Sequence, residues 1–317
     1  MRSVVARAVA VLRGGGVVAI PTETVYGLAA DVTNPDAIAR LYAIKGRPPD
    51  HPLIVHAYDV AALEGYVAEI TPALRALASR FWPGPLTVVV ARGERTPLVV
   101  TGGQETVAVR VPEHPVARAI LAAFGGPLAA PSANRFGRIS PTTAEHVRAD
   151  LGADVDLIVD GGPAHVGVES TIVDLTGAVP AVLRAGGITP SQLGAALGTP
   201  VVTRLGGGVR APGSLPSHYA PRARVVLVDA GARDAEARRR AAGGERVALL
   251  TLADDPAAAA RTLYATLRAL DAGGYDTIVA TLPPDTEADA AVRDRLLRAA
   301  APRGPDSWRS AANGGST

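Results

Sequence analysis

Lys45, Gly46 and Arg47 put two cations two residues apart across a glycine, at the end of an amphipathic stretch. The glycine lets the backbone turn so that both heads converge on one anion, a phosphate or a carboxylate. Cations at a helix C-terminus also complement the macrodipole with no ligand at all. Composition weighs against that plainer reading. Of 32 basic residues Lys45 is the only lysine, and the rest are arginine, in a chain heavy in Ala, Gly and Pro. A lysine kept in so arginine-biased a chain points to a required ammonium. No glycine-rich lead precedes it, so this is not a Walker loop.

Three further groups of residues could act beside it. PTETVYGL (21–28) offers Thr22 and Thr24 around Glu23 after a strand, where α/β sheets bind ligands; a capped turn is the alternative. PSANRFGRIS (131–140) brackets a loop with Ser132, Asn134 and Ser140, which either binds phosphate through hydroxyls and amides or simply turns. Arg110 lies inside the apolar run TVAVRV (106–111) and Arg184 ends AVLR (181–184), so each guanidinium points into a cleft or pairs with a structural carboxylate such as Glu169 or Asp174. His56 ends PLIVH (52–56) and can orient a ligand. A metal centre is not expected: there is no cysteine, and no two of the six histidines have helical ligand spacing. GGGVRA (206–211) is rejected as a dinucleotide fingerprint because no strand precedes it closely and Pro212 follows. No Gly-x-Ser-x-Gly elbow supports a serine hydrolase.

The elements that must position these groups follow from periodicity. Val5, Val9 and Leu12 mark a helix over 3–13, then a strand over 17–21; Asn34 before Pro35 caps a helix whose apolar face runs to Lys45. Strands are predicted at 52–56, 86–91, 106–111, 127–132, 157–160, 170–175 and 181–184, with helices near 71–81, 114–124 and 142–150. Residues 203–222 lack a hydrophobic period and read as an extended Gly/Pro-rich linker. Strand 224–229, helix 233–242, strand 246–252, helix 256–273, strand 276–281 and helix 286–300 then repeat as three strand-helix units, the pattern of a small parallel sheet.

The 317 residues, 48% hydrophobic and 20% charged, suffice for two globular domains. A net charge of +2 and 4% aromatics disfavour broad nucleic-acid binding. Arg7 and Arg13 interrupt the N-terminal apolar stretch and no run reaches about 18 apolar residues, so neither export nor a membrane span is expected, and the cytoplasm is the expected compartment.

Taken in order over residues 17–190, PTETVYGL, KGRPPDHPLIVH, TVAVRVPEHP, APSAN, VESTIVDL and VLRAGGI closely resemble the YrdC-like family of threonylcarbamoyl-AMP synthases. SLPSHYAPRA and the following α/β segment resemble that family's two-domain branch. The resemblance implies a twisted, open, mixed-sheet α/β domain over 1–202, a linker or lid over 203–222, a small Rossmann-like parallel α/β domain over 223–301, and a flexible tail over 302–317. It implies that L-threonine, bicarbonate or CO2, and ATP give L-threonylcarbamoyl-AMP and diphosphate, for modification of tRNA next to the anticodon by a downstream transferase complex. Whether tRNA touches this chain stays open. The threonine site would fall on Thr24, His56, Arg110, Ala130 and Ser170. The ATP site would fall on Lys45, Arg47, His51, Thr106, Ser132, Asn134, Ser140 and Arg184, with Tyr219 closing over it; Lys45 and Arg47 would offset charge in the reaction. Mg²⁺ is expected on the phosphates, with no protein ligands identified. Two positions depart from the family: His51 stands where asparagine is common, and PPDTEADAAVRDRLL replaces a glycine-rich turn before the last helix. Glycines 206–208 with Pro212, Pro216 and Pro221 suit a hinged lid. An RNA-binding module and a hydrogenase-maturation carbamoyl transferase are the competing readings; the latter carries cysteine zinc motifs that this chain lacks.

Overall fold

The computed structural model describes residues 2–205, 209–213 and 218–302. The chain begins with α1 (Arg2–Arg13), β1 (Val18–Ile20), β2 (Gly27–Asp31), α2 (Pro35–Lys45) and β3 (Ile54–His56). It continues through α3 (Pro72–Phe81), β4 (Leu86–Ala91), β5 (Thr106–Arg110), α4 (Pro115–Phe124) and β6 (Leu128–Ala129). Then follow α5 (Ala144–Leu151), β7 (Leu157–Ile158), β8 (Thr171–Asp174), β9 (Ala181–Arg184), α6 (Pro190–Leu197) and β10 (Val202–Thr203). Among the described residues these strands form one ten-stranded mixed sheet in the order β10-β9-β8-β4-β5-β3-β6-β2-β1-β7. The second sheet is parallel, from β11 (Arg224–Val228), β12 (Val247–Leu249) and β13 (Thr277–Thr281) in the order β11-β13-β12. Its crossovers are α7 (Arg233–Ala242) and α8 (Pro256–Ala272), and α9 (Ala290–Ala300) closes the unit. The fold is therefore α/β, a large mixed-sheet domain followed by a small parallel one.

Local chemistry explains the elements that matter to the site. Asn34 Oδ1 accepts from the amides of Asp36 and Ala37, and Pro35 sits at the first helical position, so α2 starts where its sequence says. Residues β3 and β5 run parallel, with His56 opposite Arg110. Alternation sends Val55, Val107 and Val109 to one face, where they join a core with Val88, Val90, Val173 and Val182. The opposite face carries Ile54, Ala108 and Val89, and with them His56 and Arg110. The core side fixes the register, so the two polar side chains must project together on the other.

Several expectations need correction. Gly27–Asp31 is a strand that the periodicity does not mark; β2 is buried almost throughout, so it lacks the alternation of a half-exposed strand. Helix α6 has a capping box from Thr189 and Gln192 that the periodicity did not flag. β10 pairs parallel with β9, so residue 203 belongs to the sheet and not to the linker. α9 begins at Ala290 rather than 286, because Thr286 Oγ1 donates to Asp289 Oδ2 (2.6 Å) and receives the Asp289 amide (3.2 Å), closing a turn first. Nor is the described part of the linker a free tether: Ala211 is buried against Ile54, Val89, Ala108 and Ile172. Glycines 206–208, Pro216 and the tail beyond Pro302 lie outside the described residues.

The small domain docks through α8 and α9. Arg268 pairs with Asp150 (2.6 Å) and Arg138 with Asp271 (3.0 Å). Gly167, at φ +83°, lies so close to α8 that a Cβ there would stand 2.4 Å from the Arg261 Cα, which no side chain tolerates. Among the described residues no helix is long and apolar enough to cross a membrane.

Candidate active site

A narrow cleft opens where the ends of β3 and β5, the loops after β1 and β6, the start of β8 and the linker meet. Its walls include Thr24, Arg47, His56, Arg110, Ser132 and Arg184, with Tyr219 from the linker.

One end is built on Arg110. Its guanidinium pairs with Glu23 (2.5 Å), donates to Thr24 Oγ1 (2.9 Å) and reaches Gly84 O (3.3 Å), all buried. Burial alone would raise the Glu23 pKa, but Arg110 lies close enough to hold it below the usual carboxylate range. His56 Nδ1 lies 3.1 Å from Ile54 O, so Nδ1 carries the proton and Nε2 is left as an acceptor. Burial, then Arg110, push the His56 pKa down to about 3, which keeps this imidazole neutral.

The other end holds two guanidiniums bonded to carbonyls and a hydroxyl, with the Glu169 carboxylate near Arg184. Arg47 donates to Pro52 O (2.8 Å) and His51 O (3.3 Å), with its carbon 5.4 Å from the Phe136 ring centroid. Arg184 donates to Ser170 O, Ser170 Oγ and Pro212 O, each at 3.0 Å. Among the described residues neither makes an ion pair, although both are over nine-tenths buried. Burial lowers the pKa of both, Arg47 to about 10. Two desolvated cations facing one cleft can hold an anion.

Above them lies the linker. Tyr219 is buried at φ 59°, a strained conformation for an aromatic residue, and its hydroxyl has no partner among the described residues, nor does His218 Nδ1. Tyr219 packs against His218 (centroids 4.1 Å) and under the Arg295 guanidinium (5.0 Å). Glu169 joins both domains: Arg295 Nε and Tyr264 Oη each donate to Oε2 at 2.8 Å, and Ser140 Oγ donates to Oε1 at 2.5 Å. Burial would raise its pKa, but Arg295 and Arg184 bring it to about 2.

These shifts set a pH dependence. Unfolded histidine titrates near 6.5, whereas His56 and His218 titrate near 3 when folded, so the unfolded state binds more protons between those values. Stability should fall as pH drops below about 6.5. Glu169 adds to the loss only below its unfolded value of 4.5, toward about 2. The midpoint of urea unfolding is expected to decline steadily from about pH 7 to about pH 4.5. A flat profile there would contradict the neutral, buried imidazoles.

The sequence-selected residues divide into two sets. Thr24, Arg47, His56, Arg110, Ala130, Ser132, Arg184 and Tyr219 line the cleft. Ser170 stands one layer back, holding Arg184 and Thr87. Ser140 is committed to Glu169, and Asn134 donates to Arg135 O and Arg138 O. His51 and Thr106 are part-exposed and off the cleft, His51 edge-on to Phe136. Lys45 corrects the opening expectation: it is buried, does not line the cleft, and donates to Ser132 O and to Asn134 O (2.6 Å). Of the suggested structural carboxylates, Glu169 lies near enough to Arg184 for its pKa to be lowered by it, although its ion pair is with Arg295. Arg110 pairs with Glu23, Glu169 pairs with Arg295, and Asp174 accepts from its neighbour Thr176.

Glu23, Glu169, His218 and Arg295 were missed as site residues. Glu23 had a signal, an acid between two threonines after a strand. Arg295 had none, since its helix reads as an ordinary amphipathic one.

The chain as a whole is similar to known proteins. A family model described as "Telomere recombination" (Sua5, YciO and YrdC) matches residues 10–186, and one described as "Threonylcarbamoyl-AMP synthase, C-terminal domain" matches residues 188–301. The chain is 39% identical to the threonylcarbamoyl-AMP synthase of Bacillus subtilis, covering 94% of this chain and 93% of that one. It is also 39% identical to that of Pyrococcus abyssi, covering 91% of each. The crystal structure of P. abyssi Sua5 complexed with L-threonine superimposes with a TM-score of 0.89 at 36% identity, over 93% of this chain and 94% of that one. Sharing both domains with these synthases over nearly their full lengths, the chain belongs to the threonylcarbamoyl-AMP synthase family in its two-domain, Sua5-type form: nucleotidyltransferases whose product serves the threonylcarbamoyladenosine modification of tRNA.

Proposed function

We propose that the two ends of the cleft divide the substrates between them. Threonine's carboxylate meets the N–H groups of Arg110 not taken by Glu23 and Thr24, and the His56 Nε2 lone pair accepts from the hydroxyl or amine. Ala130 forms the apolar wall and Ser170 braces the far side. Arg47 and Arg184 take the phosphates of ATP, with Ser132 at the loop edge and Tyr219 as the roof. The observation that carries this reading is the pair of buried guanidiniums, Arg47 and Arg184, that make no ion pair among the described residues and face the buried Arg110, Thr24 and His56 group across one cleft.

Threonine's amine adds to CO2 with loss of one proton, giving a carbamate. A carbamate oxygen then attacks the α-phosphorus, and the bond from that phosphorus to the diphosphate oxygen breaks. An anion must approach a polyanion. Arg47 and Arg184 screen that repulsion and stabilise charge gathering on the phosphate oxygens where water is excluded. Holding the partners in line supplies the rest. No side chain acts as nucleophile. Magnesium would enter on the nucleotide's own phosphates: among the described residues no three His, Asp or Glu side chains converge, and the Glu23 and Glu169 carboxylates are committed to arginines.

The linker acts as the lid that shields the labile product anhydride from hydrolysis. Gly213, at φ +83°, lets it seat: a Cβ there would stand 2.2 Å from the Tyr219 hydroxyl. Gly213→Ala should therefore displace the Tyr219 ring and lower turnover by roughly 10- to 100-fold, read as diphosphate release, with thermal unfolding lowered as well by the strain of alanine at a positive φ. Normal turnover would separate the lid from the chemistry. A cytoplasmic location and transfer of the product to tRNA by partner proteins complete the proposal.

The deciding experiment is diphosphate release from ATP with bicarbonate, comparing L-threonine, L-serine and no amino acid, with mass spectrometry of the product. Threonine-dependent release with a threonylcarbamoyl adenylate is expected. Threonine-independent release would overturn the assignment, and steep salt-dependent RNA binding without turnover would restore the RNA-module reading.

A further inference from the structure

Lys45 occupies the last turn of α2, and its ammonium is spent on backbone. Nζ donates to Ser132 O and to Asn134 O (2.6 Å), two carbonyls of the loop that follows β6. The tie is reinforced on both sides. The Phe136 amide donates to Lys45 O (2.8 Å), and the Arg135 guanidinium donates to Ile44 O. The end of α2 and residues 132–136 thus form one hydrogen-bonded block.

That block sets the geometry of groups the reaction uses. Ser132 stands at the cleft wall. The Phe136 ring lies against the Arg47 guanidinium at 5.4 Å and meets the rings of His51 and His218 edge-on at 5.2 and 5.8 Å. It is thus the surface on which both the phosphate-binding arginine and the lid rest. A phosphate oxygen approaching the Lys45 nitrogen would find only the third N–H free and would lie beside the negative ends of two carbonyls. The ammonium suits holding a loop better than holding a nucleotide.

We propose that Lys45 is a positioning residue of the synthase reaction, clamping the Ser132–Phe136 loop to α2 and through it orienting Arg47 and the lid, without touching the nucleotide. This rests on the assignment of Arg47 to the phosphates. The two ideas separate in one experiment on the full chain, by amide hydrogen exchange of ligand-free protein together with diphosphate release. Lys45→Met should speed exchange of amides 133–138 by about 10-fold or more, leave β4 and β5 unchanged, and raise KM for ATP more than it lowers kcat. Arg47→Met should lose activity with the loop still protected. Full activity in Arg47→Met would defeat the phosphate assignment and leave the loop result standing. Activity lost in Lys45→Met with normal loop exchange would overturn the clamp in favour of direct contact, and normal activity with normal exchange would remove Lys45 from the reaction. Should Lys45→Met fail to fold, Lys45→Gln decides the matter, because its amide donates to carbonyls without charge. Restored loop protection and activity are expected; an intact loop with lost activity overturns the proposal.

Discussion

Arg47→Met is expected to lower threonine-dependent diphosphate release by roughly 30- to 1000-fold, about 2 to 4 kcal/mol of transition-state stabilisation. The guanidinium is buried at the cleft, bonds only to carbonyls and an aromatic face, and pairs with no carboxylate among the described residues. Its charge is therefore unspent until a phosphate arrives. The same fact predicts the stability of the variant. Removing an unpaired buried cation relieves desolvation, and methionine fills most of the volume, so unfolding should be little changed. Lost activity in a stable protein identifies a reacting-site charge. Near-normal activity would mean that Arg184 alone serves the phosphates and that Arg47 merely braces residues 51 and 52. Arg47→Lys should recover only part of the rate, since a compact ammonium does not reproduce the fork lying on Phe136.

Arg110→Met should fail in the opposite way, losing activity and stability together. Glu23 is fully buried and its carboxylate depends on that guanidinium, with only the Glu113 amide (3.1 Å) besides among the described residues. Breaking such a pair leaves an uncompensated charge and costs about 3 to 5 kcal/mol, to be read from urea unfolding. Arg110→Met with Glu23→Gln should recover most of that loss, because an amide is far less costly to bury than an orphaned carboxylate. Threonine-dependent turnover should stay down by roughly 100-fold or more in the double variant, since the carboxylate site is gone. If the double variant regained turnover, Arg110 would be a structural partner of Glu23 and nothing more. If the single variant were as stable as the parent, the pair would be weaker than its burial implies.

The contrast between these two arginines shows how far the sequence could be read. Arg110 interrupts an apolar strand and Arg47 follows a helix end, and from the sequence each had a ligand reading beside a plainer one, a structural carboxylate for Arg110 and the helix macrodipole for Arg47. The structure pairs Arg110 with a buried carboxylate and gives Arg47 carbonyl partners. What decided it was a contact across 87 residues, Glu23 to Arg110, which no local pattern encodes. Lys45 shows the converse. Its rarity marked it correctly as unusual and its place at the end of α2 was legible, but the direction of its side chain depended on where the loop after β6 came to lie.

Strand and helix types in the large domain followed from apolar period, capping Asn34 and the prolines, because those signals are local and the core enforces them. β2 and α6 were missed because full burial and a short length remove the period. The segment motifs, taken in order, carried the family and the reaction class, since each motif keeps its residue types wherever the chain folds. Only the tertiary structure decided which of those residues share the cleft, that Glu169 joins the two domains through Arg295, and that the described part of the linker is packed over the site. Those facts are long-range pairings of buried charges, and a buried charge takes its partner from space, with no trace in the spacing of the chain.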